Sequence, residues 1–370
     1  MLLEFRFANY KSFRDEQVFS LVASSDKSHP DNLVDLPIRK DLRLLKSAVM
    51  YGANASGKTN LLDALRFYSH FVRTSASQEP DESIDVVPFL LDHDSAAEPS
   101  SFEATFVAGN GVLYQYGFSL DPERVHEEWL TSYPKGRPRK LFTRYLSQGQ
   151  QVFEFGSHLK GEKEKLRELT RPNALFLSVG AMFNHPELLS VYRWPVHQLR
   201  SLQADRLGKD ALISLVRQNT GQRARVRDLL RYADLGIVDF SLEEPDLALA
   251  SSAQDVPSRF QNAFAALREQ LDADSLASLE VIHQGTEGNV SLDLEAESGG
   301  TRQLFTLSFF LLSTLAEGGT ICVDELDTSL HPLLVRKLMD MFHNPQTNPA
   351  NAQLIFNTPD TTLLSADLFR

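Results

Sequence analysis

A single cysteine, Cys322, leaves no possibility of an internal disulfide. Its neighbours Thr320, Ile321 and Val323 are mostly apolar, so it reads as a small buried residue in a core strand of a protein from a reducing compartment. Long hydrophobic runs are also missing. The longest, Leu304 to Ala316, is broken by Thr306, Ser308, Ser313 and Thr314, and it falls short of the ~18–20 residues that a membrane span needs. No secretory signal opens the chain, because Glu4 and Arg6 stand where an apolar segment would begin. These absences predict a cytoplasmic protein without membrane contact. The histidines show no metal-ligand spacing, and neither H-E-x-x-H nor C-x-x-C occurs.

Positive charge is scarce too: 37 Lys and Arg against 49 Asp and Glu give −12, which opposes indiscriminate nucleic-acid binding. The deficit is uneven. Between Arg193 and Arg231 there are nine basic residues and three acids, which read as a face for DNA or RNA, a set of solvated helix faces or a protein–protein surface. Lys135, Arg137, Arg139, Lys140 and Arg144 read as a solvated loop, and His126-Glu127-Glu128 as a solvated strand edge.

What is present follows an α/β pattern. Alternation predicts strands at 2–8 and 17–22, polar loop at 24–42, and a short buried strand Ser47-Ala48-Val49-Met50-Tyr51. A helix is expected from Lys58 to Val72, with Leu61, Leu62, Leu65, Phe67, Tyr68 and Phe71 near helical spacing. Residues 84–156 are β-rich, with a hairpin turn at Gly109-Asn110-Gly111. The pattern from 162 to 279 is helical and interrupted by prolines. Strands follow at 279–283 and 289–294, then helix 301–316, strand 319–323, helix 332–343 and strand 353–357. Three parts are expected: a lobe over 1–160, a helical insertion over 161–285, and a closing lobe over 286–370.

Between the short buried strand and the helix lies Gly52-Ala53-Asn54-Ala55-Ser56-Gly57-Lys58-Thr59, with Asn60 next, a match to G-x-x-x-x-G-K-[ST] in its required strand–loop–helix setting. The glycines let backbone N–H groups turn toward phosphate oxygens at a helix N-terminus. Lys58 is expected to reach the β- and γ-phosphates of ATP, and Thr59 to ligate Mg2+. Far along the chain, Ile321-Cys322-Val323 ends in Asp324-Glu325. Acids at the carboxyl end of a buried strand are costly without a cation, which suits Asp324 as a Mg2+ ligand through water and Glu325 as general base. The plainer alternative is a helix-capping acid with a solvated neighbour. Asp327 and Ser329 suit capping of the next helix, and His331 is either structural or part of the nucleotide site.

A third segment, Ser298-Gly299-Gly300-Thr301, opens the apolar helix and forms a second anion-binding helix start, or else only a capped loop. One monomer needs no second phosphate site for one nucleotide. A head-to-tail dimer does, since each chain's serine-glycine segment then completes its partner's site.

Together, Gly52–Thr59, Ser298–Gln303, Asp324-Glu325 and Leu326–Leu330 resemble the Walker A, signature, Walker B and D-loop motifs of ABC-type ATPases. Asn9-Tyr10-Lys11-Ser12-Phe13 resembles the opening of the SMC/RecF branch. The chain is most similar to compact bacterial AAA-family ATP-binding proteins of the RloA/AbiL type, related to the ATPase half of OLD-family nucleases. The resemblance implies a P-loop ATPase head with a β-rich N-terminal lobe and an inserted helical lobe, dimerising around two ATP molecules, with Asp327 in the D-loop. It also implies anti-phage defence or DNA transactions through an effector such as a nuclease encoded nearby, by a dimer or a higher oligomer. Relatives carry a γ-phosphate histidine where this chain has Pro359, which offers neither a side-chain donor nor an N–H. ATP binding is untouched by that change, and rapid hydrolysis is brought into question. No glutamine is assigned to the Q-loop. OLD-type relatives continue into a nuclease domain, and no nuclease activity is expected of these 370 residues. An ATP-gated scaffold with little turnover and a RecF-like DNA-binding repair protein are the two alternatives.

Overall fold

The computed structural model describes residues 1–36, 38–202, 209–233, 236–243, 277–326, 330 and 332–358. It divides into two compact units. The first comprises Met1–Leu202, Thr314–Leu326 and Arg336–Arg370, and the second Gln203–Ser313 and Asp327–Val335.

The first unit is built on two large sheets. Seven antiparallel strands run in the order Gln150–Phe155, Arg139–Ser147, Val125–Tyr133, Leu113–Leu120, Ser100–Val107, Leu2–Ala8 and Gln17–Ser20. Alternate residues of Ser100–Val107 are buried, the period-two pattern of a sheet with one face on a core. That face is aromatic. Phe5, Phe102, Tyr116 and Phe118 meet Phe67, Tyr68 and Phe71 of the helix Lys58–Thr74, with Tyr68 stacked on Phe118 at 5.4 Å and Phe67 tilted against Phe102 at 4.9 Å. Such pairs contribute beyond the area they bury.

The second sheet has four strands, all parallel, in the order Leu199–Leu202, Thr320–Val323, Gln353–Thr358 and Ser47–Tyr51. Thr320–Val323 and Gln353–Thr358 are buried throughout, as a parallel sheet covered on both faces requires. Cys322 lies at its centre, where burial pushes the thiol up to about 12. Gln353 joins the two sheets. Its side chain accepts from Leu2 N at 2.6 Å and Thr320 Oγ1 at 2.9 Å, and donates to Leu2 O at 3.0 Å and Leu45 O at 3.1 Å.

The second unit holds a three-stranded antiparallel sheet, Ile237–Glu243, Ser278–Gln284 and Asn289–Asp293, with helices Lys209–Gln218 and Arg223–Tyr232. Phe240 packs edge-on against Phe305 at 5.0 Å and near Phe309, both on the helix Gly299–Glu317. Among the described residues no helix is long and apolar enough to cross a membrane.

The mixed α/β class with a parallel sheet stands as read from the sequence. Three local readings change. Residues 24–42 contain the strand Leu33–Leu36 and the start of Arg39–Leu45, whose charged residues hide the alternation. The stretch 162–279 carries the strands Leu199–Leu202 and Ile237–Glu243 among its helices, one of them too short to leave a period in the sequence. Glu128 and Arg144 are fully buried rather than solvated.

The Glu128–Arg144 pair docks the chain after Pro172. Glu128 accepts from Phe176 N at 2.8 Å, Leu177 N at 2.9 Å and the Tyr116 hydroxyl at 3.0 Å, so a strand residue caps the helix Phe176–Met182. Arg144 lies 3.4 Å from Glu128 and donates to the carbonyls of Ala174, Arg171 and Pro172 and to Gln151 Oε1. Burial pushes the Glu128 carboxyl up, while Arg144, the two N–H groups and the hydroxyl pull against that shift. Removing one member of such a pair strands the other charge in the core. Glu128→Ala is therefore expected to destabilise the first unit by about 3–5 kcal/mol, read as a lower urea midpoint; an unchanged midpoint would remove this pair from the fold's essential contacts.

Candidate functional site

The strand Ser47–Tyr51 delivers the chain to the carboxyl edge of the parallel sheet, and the helix Lys58–Thr74 carries it away. Residues 52–57 must reverse direction between them in a turn tight enough to leave N–H groups facing inward. Gly57 has φ 94°, a region that disfavours a Cβ, and a Cβ there would meet the Phe13 ring at 2.7 Å. Ala55 is also left-handed, with φ 64°. Ser56 N donates to Ala53 O at 3.2 Å, closing the turn. Lys58 Nζ arches back over the loop, 2.7 Å from Gly52 O and 2.9 Å from Ala53 O, which places its charge where phosphate oxygens would sit in a loop of this kind.

Thr59, on the first turn of the helix, meets the other half of the site. Its Oγ1 donates to Asp324 Oδ1 at 3.2 Å, although the two residues lie 265 apart in sequence. Asp324 follows the strand Thr320–Val323 directly. A hydroxyl and a carboxylate at this junction are hard oxygen donors, the set that Mg2+ prefers, so the residues present fit that ion. Glu325, next in the chain, is exposed and left-handed at φ 50°.

Asn357 supports both acids. Its Nδ2 donates to Asp324 Oδ1 at 2.5 Å, and its Oδ1 accepts from Glu325 N at 2.5 Å. It holds the carboxylate toward Thr59 and stabilises the unusual backbone of Glu325. The reading from sequence missed it, although the signal was there: an amide amid Leu354-Ile355-Phe356, in a strand buried along its whole length, needs partners for both ends.

The opening segment Asn9–Phe13 also belongs to this neighbourhood. It forms a tight hairpin, Tyr10 N to Phe13 O at 2.8 Å and Phe13 N to Tyr10 O at 2.9 Å, with Asn9 and Lys11 left-handed. Ser12 Oγ accepts from Asn60 Nδ2 at 2.8 Å, and Lys11 pairs with Asp63 at 2.5 Å. The turn is thereby fastened to the first turns of the helix that follows the loop.

Ser298, Gly299, Gly300 and Thr301 lie in the second unit. Ser298 Oγ caps the helix Gly299–Glu317 by accepting from Thr301 N at 3.2 Å and lies 2.9 Å from Thr301 Oγ1. Asp327, His331 and Pro359 lie outside the described residues. The described part of the basic stretch is divided between the two units. Arg200 pairs with Glu317 at 2.6 Å within the first unit. In the second, Arg223 donates to Phe240 O at 2.5 Å and lies over the Phe240 ring, while Arg231 donates to Val238 O at 2.9 Å. Those two arginines tie the helix Arg223–Tyr232 to the neighbouring strand.

Fold and loop together define a P-loop nucleotide-binding α/β domain. Residues 47–365 match the family model described as "AAA domain, putative AbiEii toxin, Type IV TA system", and the chain belongs to that family of P-loop ATPases. Similar solved structures include an SMC head bound to the C-winged helix domain of ScpA, 13% identical, covering 99% of this chain and 91% of that one at TM-score 0.48. They also include an SMC head with an extended coiled coil bound to the C-terminal domain of ScpA derived from Pyrococcus furiosus, 13% identical over 99% and 91% at 0.39. RecF-ATPrS, the recombination mediator of the RecFOR pathway, is 11% identical over 100% and 94% at 0.41. No curated protein matches the chain. The family match agrees with the P-loop ATPase class read from the motifs.

Replacing Asn357 by Ala is expected to release both Asp324 and Glu325. Hydrogen bonds to charged groups contribute about 1.5–3 kcal/mol, so turnover of ATP should fall roughly ten- to hundredfold with nucleotide affinity largely kept. Steady-state phosphate release beside equilibrium nucleotide binding measures both; unchanged turnover would show that Asn357 does not set the acids' geometry.

Proposed function

We propose that this chain binds ATP with Mg2+ in the loop Gly52–Thr59, dimerises head to tail around two nucleotides, and uses that change to switch a partner. The observation that carries the reading is the convergence of Lys58, Thr59, Asp324 and Glu325 at one sheet edge, the set that ATP hydrolysis in a P-loop site requires.

In this mechanism backbone N–H groups of residues 52–59, with the side chains of Asn54, Ser56 and Asn60 around them, surround the phosphates, and the helix start adds its positive end. Lys58 exchanges its loop carbonyls for phosphate oxygens and offsets the charge that develops on them. Thr59 and Asp324 would hold Mg2+, which supplies neutralisation of the phosphate charge when bound. Glu325 takes a proton from the attacking water, and Asn357 keeps its backbone in place. Ser298, Gly299, Gly300 and Thr301 of a second copy close the site over the γ-phosphate, with Asp327 at the junction.

The family description names a toxin of a toxin–antitoxin system, which favours a defence setting and an effector that the dimer controls. A slow scaffold is the second reading, favoured by Pro359 in place of a γ-phosphate donor.

The test is ATP turnover together with solution mass for wild type, Lys58→Ala and Glu325→Gln. Lys58→Ala is expected to lose nucleotide binding. Glu325→Gln is expected to lose at least about a hundredfold in turnover, the contribution of a general base, and to accumulate a dimer in ATP and Mg2+. A wild type that dimerises without turnover selects the scaffold. No mass change in wild type or Glu325→Gln rules out the sandwich.

A further inference from the structure

Ser298 stands at the N-terminal edge of the helix Gly299–Glu317, whose first two residues lend it no side-chain packing. Gly299 and Gly300 have no side chains to pack, and a Cβ placed on Gly299 would meet nothing within 4 Å. Ser298 is fixed on one side only, through its hydroxyl at the start of the helix. On the other side stands Glu297, whose N–H donates to Leu294 O at 3.1 Å. Its side chain does not extend into solvent. It is only 11% exposed, and its Oε1 lies 2.5 Å from His283 Nε2.

His283 is well placed to anchor something. It lies on the central strand of the three-stranded sheet, with its backbone paired to Ile237 on one side and Val290 on the other. That sheet also bears Phe240, which packs on Phe305 and Phe309 of the helix that Ser298 caps. The sheet and the helix are thus one packed body, and the Glu297–Gly300 turn bridges them. Glu297 ties the turn to the sheet, and Ser298 ties it to the helix. An ionised carboxylate accepting from a ring N–H is a strong hydrogen bond. Through it the side chain of Glu297 joins this turn to the sheet.

We propose that His283 is a positioning residue for the dimer: through Glu297 it holds the Ser298–Gly300 turn in the shape that receives the γ-phosphate of ATP bound to a second copy. This deepens the sandwich reading above and rests on it. His283 touches neither nucleotide nor reacting atoms, so its loss should act on assembly and leave nucleotide capture by the loop Gly52–Thr59 intact. Without the tether the helix start at Gly299 and Gly300, which glycine weakens, frays more readily, and closing the site must select its ordered form.

The experiment titrates ATP and Mg2+ against solution mass in the full chain carrying Glu325→Gln. It compares His283→Ala, His283→Gln, Glu297→Ala and Ser298→Arg, with binding of a fluorescent ATP analogue at concentrations that keep the chain monomeric. His283→Ala and Glu297→Ala are each expected to raise the ATP needed for half-dimerisation by about tenfold, the loss of one such hydrogen bond. Their combination should cost no more than either alone. Analogue affinity should stay within about twofold, and His283→Gln, which keeps a donor, should recover most of the dimer. Ser298→Arg should abolish dimerisation. If Ser298→Arg abolishes the dimer while His283→Ala leaves it at wild-type ATP, the positioning role is wrong and the sandwich survives. If Ser298→Arg dimerises normally, the sandwich reading itself fails, and this inference with it. Loss of analogue binding in His283→Ala would mark a merely structural residue and overturn the proposal.

Discussion

Parallel register at one sheet edge governs everything at the site. Tyr51 stands beside Thr358, Phe356 beside Val323, and Val323 beside Leu202. Because the strands point the same way, their last residues emerge together, and the loop Gly52–Gly57, the pair Asp324-Glu325 and Asn357 reach one another there. The sheet's interior can hold only apolar side chains or fully paired polar ones, so its chemistry collects where the strands end. A one-residue slip of Gln353–Thr358 would turn Asn357 to the opposite face, and both acids would lose their support.

That register is protected by buried polar groups, each of which joins segments remote in sequence. Gln353 clasps Leu2 across 351 positions, tying the first strand of the antiparallel sheet to the last strand of the parallel one. Glu128 and Arg144 clasp the chain between Arg171 and Leu177. Such groups are costly when unpaired and well defined when paired, so they penalise alternative packings more than they add to stability. The aromatic layer of Phe5, Phe102, Tyr116 and Phe118 supplies bulk attraction, while the polar clasps settle how the helix Lys58–Thr74 and the two sheets align.

Charge was the least legible feature of the sequence. His126-Glu127-Glu128 and the basic residues around Arg144 look like ordinary solvated surface, because each partner lies on another strand and the pairing is invisible until register is known. Arg223 and Arg231 are opaque in the same way: their bonds to the carbonyls of Phe240 and Val238 appear only once the helix and strand are packed together. Short strands were lost for a related reason. Leu199–Leu202 has four residues, too few for a period, and Arg39–Leu45 carries charge on several positions of its seven. Long elements with a clear apolar face, such as Lys58–Thr74 and Ser100–Val107, were readable because periodicity there reports burial directly.

The phosphate loop could be read from eight contiguous residues, since glycine at a left-handed position, a strand before it and a helix after it are local requirements that composition and spacing carry. The same holds for the apolar strand ending in Asp324-Glu325 and for the capped start of the helix at Ser298. Sequence alone also determined the deficit of positive charge and the single buried thiol. Only the tertiary structure decided that Thr59 and Asp324 meet, that Asn357 holds both acids, and that His283 reaches Glu297. Those contacts depend on strand order and register, which arise from packing the whole unit and are written in no single stretch of the chain.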